Sequence, residues 1–108
     1  MKTSDLTDTA LDWAVARCEG VIKGDALDIG FILEGGYTPS TNWSQGGPII
    51  EREGISTWVF DDVTWRAQGR IGSGVDQVFE GPTLLVAAMR CYVASQLGDD
   101  IDIPDTLR

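Results

Sequence analysis

Histidine is missing from all 108 residues. Without an imidazole there is no Ser-His-Asp or Cys-His arrangement and no histidine general base, and the commonest metal ligand is gone. Cysteine is almost as scarce. Cys18 and Cys91 stand far apart, each within a helix-like run, and two thiols without CxxC spacing do not make a zinc site. They are expected to stay reduced and to pack as small apolar residues. No stretch approaches the ~20 apolar residues of a membrane span. The opening MKTSDLTDTALDW has early acids and no sustained apolar run, unlike a secretory signal. Basic residues are few, 8 against 17 acids, for a formal net charge of −9. That balance disfavours direct binding to nucleic acid phosphates and suits a basic partner, or imitation of DNA's own charge.

What is present is enough for a core. Hydrophobic residues make up 43% of the chain and include four Trp, which at this length implies one domain over residues 1–108. Leu11, Ala14, Val15 and Cys18 recur at helical spacing, with Thr7 as N-cap, Asp8 in the first turn and Gly20 as C-cap. Trp13 lies off that stripe. Residues 21–36 read as short extended pieces broken by glycine, the apolar runs Val21-Ile22 and Ile29 to Leu33 being too short for helices.

Ile55 to Phe60 is a strand by its β-branched and aromatic content, Asp61-Asp62 is a turn, and Val63 to Gln68 is the antiparallel return. Gly69, Gly72 and Gly74 mark a loop that lacks the lysine and spacing of a phosphate-binding loop. Val75 to Phe79 is a third strand. A second helix opens at Gly81-Pro82-Thr83 and closes at Leu97-Gly98, with Leu84, Leu85, Ala88, Met89, Tyr92 and Val93 as its apolar face. The tail from Asp99 could dock as an edge strand or stand out as an acidic arm. The expected fold is α+β: two helices packed on a small, mostly antiparallel sheet, with a long ordered loop at residues 37–54.

That loop, YTPSTNWSQGGPIIEREG, is where a ligand is expected. A long segment without regular structure inside a compact domain is usually functional. Pro48 to Glu53 could form one helical turn anchored by Ile49 and Ile50. Ahead of it, Tyr37 and Trp43 offer stacking faces. Thr38, Ser40, Thr41, Asn42 and Gln45 offer donors and acceptors, and Gly46-Gly47 lets main-chain amides approach closely. Charge for a phosphate could come from Arg52, Arg66 or Arg70. Trp43 has two readings, a plug seated in the core or a platform for a planar ring. Carboxylates are a poorer start for catalysis. Asp61-Asp62 reads as a turn, and on a helix Glu51 and Glu53 would lie about 200° apart. No catalytic residue, metal or cofactor is therefore expected.

Three phrases, LTDTALDWAVARCEG, STNWSQGGPIIEREGIS and GPTLLVAAMRCYVASQLGDDIDIP, together resemble the NinX family, small proteins of tailed bacteriophages and prophages. The resemblance runs in order from Thr3 to Pro104, with Phe60 to Phe79 as its variable part. It implies an accessory protein acting in the host bacterial cytoplasm and supplies no catalytic residues. Two functions fit. One is a non-enzymatic anti-defence sponge that sequesters a small nucleotide-like immune signal, in a pocket that a homodimer or higher homo-oligomer could enlarge. The other is an acidic, DNA-mimic-like protein that binds or inhibits a host protein, although its acids are scattered rather than aligned. A small hydrolase is the third class, and the carboxylate spacing speaks against it.

Overall fold

The computed structural model describes residues 1–21, 26–69 and 77–107. In chain order these form a 3-10 turn at Thr3–Asp5, helices α1 (Asp8–Glu19), α2 (Ala26–Leu33) and α3 (Trp43–Glu53), strands β1 (Ser56–Val59), β2 (Trp65–Gln68) and β3 (Phe79–Gly81), helix α4 (Leu84–Leu97), and a closing 3-10 turn at Asp105–Leu107. The sheet is antiparallel in the order β1-β2-β3, with Val59 opposite Trp65 and Ala67 opposite Phe79. The class is α+β, with four helices among the described residues rather than two.

Helix α4 is the centre. Its residues from Leu85 to Ala94 are buried apart from Arg90, because the sheet lies on one side and α1 and α3 pack on others. Thr83 caps it, its hydroxyl accepting from Val86 N at 3.1 Å. Gly81 lets β3 run hard against the helix. A Cβ there would sit 2.7 Å from Ala87 N and 2.9 Å from Val86 Cγ1. The described third strand, Phe79–Gly81, overlaps the expected Val75–Phe79 only at Phe79. Val75 and the glycines at 72 and 74 lie outside the described residues, while Gln77 and Val78 are irregular.

Helix α1 matches its expected bounds, closing on Gly20 at φ 73. Thr7 holds the cap position but its hydroxyl makes no capping bond, and Asp8 adopts φ 49. Trp13, off the expected stripe, is buried with it. Seven consecutive residues, Ala10 to Ala16, are buried, so α1 is enclosed all round. Two expectations fail more completely. The run from Ile29 to Leu33 is helical, not extended: Ile32 is fully buried and Ile29 packs on the same core three residues earlier, the spacing of a helix face turned towards α1. Packing overrides the strand preference of β-branched residues. The 37–54 segment is likewise not one long loop. From Trp43 it is helix, and Pro48 lies inside α3 rather than at its first position.

Around the sheet, the hairpin turn takes in Val63 as well as the two acids. Asp61 Oδ1 accepts from Val63 N at 2.9 Å, which delays β2 to Trp65. The tail docks without becoming a strand. Thr3 N donates to the Asp99 carbonyl at 2.8 Å, Ile101 N donates to the Met1 carbonyl at 2.9 Å, and Ile103 and Leu107 are buried. Both cysteines are free, and burial pushes each thiol up to about 11.

Candidate functional site

The approach to α3 is built from main-chain donors without secondary structure of their own. Asp12, buried on α1, accepts from Ser40 N at 2.9 Å. Burial raises the carboxyl of Asp12 above its ordinary range, against the lowering effect of Ser40. Gln45 reaches back from α3, its Oε1 accepting from Thr38 N at 2.7 Å. Asn42 is the N-cap: Oδ1 accepts from Ser44 N at 2.9 Å and from the Ser44 hydroxyl at 2.6 Å. Gly46 lets α3 press onto the segment before it, since a Cβ would lie 2.4 Å from the Pro39 carbonyl oxygen and 2.8 Å from Leu85 Cδ2.

The product of these contacts is the placement of Trp43. In the first turn of α3 it is 57% exposed, so it is not a core plug. It borders a cleft of about 400 Å³ lined by Ser40, Thr41, Trp43, Trp65, Thr83, Leu84 and Leu85. The walls come from the lead into α3, from β2 and from the start of α4. No lining residue is charged. A cleft with this lining can take a flat apolar or heteroaromatic group, with hydroxyls at its margin.

The residues expected to bind a ligand therefore divide. Ser40, Thr41 and Trp43 line the cleft. Thr38, Asn42, Gln45 and Gly46 hold its frame, and Gly47 lies under the indole, where a Cβ would be 3.5 Å from Trp43 Cε3. Tyr37 lies elsewhere, half-buried against the core, and burial pushes its phenol up to about 12, with Glu19 adding to the effect. Arg52 donates from Nη1 and Nη2 to Glu19 at 3.0 and 2.7 Å and from Nε to Glu53 at 2.8 Å. Arg66 points to the other sheet face, paired with Glu80 at 2.8 Å and stacked 3.5 Å over the Phe60 ring. Arg70 lies outside the described residues. Trp65, Thr83, Leu84 and Leu85 were not expected in the site. Alternation along β2 does put Trp65 on the same face as the buried Ala67, but nothing local joins that strand to the start of α3.

A second cavity, about 310 Å³, lies between Trp13, Arg17, Leu97, Asp100, Ile101 and Asp102. Two of its charged groups are already engaged. Arg17 stacks on Trp13 at 5.2 Å, and Asp100 holds the N-terminal amine at 3.1 Å. Among the described residues no cluster of three or more Cys, Asp or Glu could hold a metal ion, and no helix is long and apolar enough to cross a membrane.

The fold and cleft define a small α+β domain in which a helix start presents an indole above an apolar pocket. The family model described as Bacteriophage P22, NinX matches residues 2–96, and the chain belongs to that family of phage proteins. The match takes in every strand, all of α1 to α3 and nearly all of α4. Comparison with curated proteins finds no match.

Proposed function

We propose that the protein is a non-enzymatic phage accessory factor that holds the planar ring of a small nucleotide-like signal in the Trp43–Trp65 cleft, removing that signal from host defence. The exposure of Trp43 carries the reading. A large indole left more than half in water beside an apolar cleft, on a helix start that Asn42, Gln45 and Asp12 hold in place, supports a site that a planar ring could cover. Its uncharged lining favours the base over the phosphates, so affinity rests on stacking, worth about 1–3 kcal/mol per base. Phosphates would extend beyond the cleft, away from the paired Arg52 and Arg66. Sequestration needs no turnover, which agrees with a site that offers hydroxyls and rings rather than facing carboxylates.

Tryptophan fluorescence and calorimetry with nucleosides, cyclic dinucleotides and ADP-ribose-derived nucleotides test this directly. A true ligand is expected to quench Trp43, and Trp43→Ala should stay folded while binding roughly ten- to a hundredfold more weakly. Purified protein incubated with extracts of infected, defence-competent cells should release the same compound on heating. If no such compound binds or is released, or if Trp43→Ala binds as well as the parent, the reading is wrong.

A further inference from the structure

The sheet treats its two edges differently. Phe60 N donates to the Thr64 carbonyl at 2.9 Å, so these residues form a hydrogen-bonded pair that continues the β1–β2 register of Val59 with Trp65 and Trp58 with Arg66. Bonded and non-bonded pairs alternate in an antiparallel ladder. Ser56 and Trp58 therefore bond inward to β2, and the main-chain groups of Thr57 and Val59 point to the free edge. The same alternation leaves the main chain of Glu80 on the opposite edge, outside β3. There it is covered: Arg90 Nη1 donates to the Glu80 carbonyl at 2.5 Å, with its Nε anchored on the Leu6 carbonyl at 2.7 Å. Among the described residues β1 has β2 as its one strand neighbour. From Ile55 to Phe60 it carries no lysine, proline or charge. Trp58, Val59 and Phe60 are 37%, 58% and 51% exposed. Sheets usually blunt an edge of this kind.

Charge indicates what covers it. A partner drawn by the −9 of the chain would seek an acidic face, but the hairpin from Ile55 to Gly69 holds two acids and one base, Asp61, Asp62 and Arg66. A near-neutral strip is the part of this molecule that can approach itself. We propose that β1 pairs antiparallel with β1 of a second copy about a two-fold axis at Trp58, joining two three-stranded sheets into one of six. In that register Thr57 and Val59 of each copy exchange main-chain bonds with Val59 and Thr57 of the other. Trp58 faces Trp58 of the second copy in a non-bonded pair, the closer kind, with Cα atoms about 4.5 Å apart. The two Asp61 residues lie six strand positions apart, about 20 Å, beyond a Debye length of about 8 Å. This interface is independent of any ligand in the cleft.

Sedimentation equilibrium of the full chain should give twice the 11.7 kDa mass of one chain. Val59→Pro removes an outward N–H and should yield a monomer whose circular dichroism matches the parent. As a second measure that does not depend on that variant folding, Trp58→Cys should form a disulfide-linked dimer under mild oxidation, and Val63→Cys, at the far end of the hairpin, should not. A parent protein that is monomeric at all concentrations overturns the proposal. So does a dimer that survives in folded Val59→Pro, or equal crosslinking through Val63→Cys.

Discussion

Gly46 shows how much a single hydrogen can decide here. By helix propensity, Gly46→Ala should stabilise α3 by up to about 1 kcal/mol. The new methyl would instead press on the Pro39 carbonyl oxygen, a main-chain atom held by its buried neighbour Ser40, and on Leu85. Overpacking of this kind costs about 1–3 kcal/mol. Gly46→Ala is therefore expected to lower the urea midpoint, and because Leu85 lines the cleft it should also shift the fluorescence of Trp43. A higher midpoint would mean that the segment gives way more easily than its hydrogen bonds imply. Gly46 reads in the sequence as a residue for close approach, and it is one. The approaching group is the chain's own backbone.

At the scale of the element, α3 is only half visible in the sequence and is the helix that matters most to the site. Two glycines and Pro48 fall within its eleven residues. Pro48 supplies no N–H for the Ser44 carbonyl, so local preference argues for a turn. The helix holds because Asn42 caps its start, Gly54 ends it at φ 65, and Ile49 is buried against the core. Asn42→Ala should cost about 1 kcal/mol in urea denaturation. It should also loosen the first turn that presents Trp43, seen as lower fluorescence anisotropy at an unchanged overall fold. Elements with strong local signals, α1, α4 and the β1–β2 hairpin, lie within a few residues of where the sequence puts them. Those whose local preference conflicts with their packing, α2 and α3, do not. The site follows the same division: Ser40, Thr41 and Trp43 were legible as polar and aromatic groups in an unusual stretch, whereas Trp65 and Thr83–Leu85 join them only through the docking of α3 on α4.

Across the molecule, three helices meet at one carboxylate. Glu19 at the end of α1 accepts from Arg52 of α3 and from the Tyr92 hydroxyl of α4. The Arg52 guanidinium holds the carboxyl of Glu19 below its ordinary value of 4.5, against the opposing effect of burial and with help from Tyr92. A lowered folded pKa adds stability that is complete above the unfolded value and is lost as pH falls through the folded one. Asp12, raised by burial, has the opposite sign: its contribution declines as pH rises above 3.8. Glu19→Gln should thus lower the urea midpoint at pH 7 and narrow the gap between midpoints at pH 7 and pH 3. An unchanged gap would remove Glu19 from the acid response. The proposed dimer acts at this scale too. Val59 sits beside Trp65 on the face of the sheet that carries the cleft, so a second copy at the β1 edge would lie one strand away from the ligand.

By itself the sequence determined the class of the fold, the absence of histidine chemistry, the acidic balance and the family, and it singled out the stretch that leads into the cleft. The family follows from the likeness of whole phrases, and the rest from composition, periodicity and local turn chemistry, which are local or summed over the chain. Only the tertiary structure decided that the stretch from Trp43 is a capped helix rather than a loop, that Arg52 is drawn to Glu19 and Glu53 and Arg66 to Glu80 instead of the cleft, and that Trp43 and Trp65 line the same cleft. Each of these depends on contacts between residues far apart in the chain, where burial and close packing outweigh local preference.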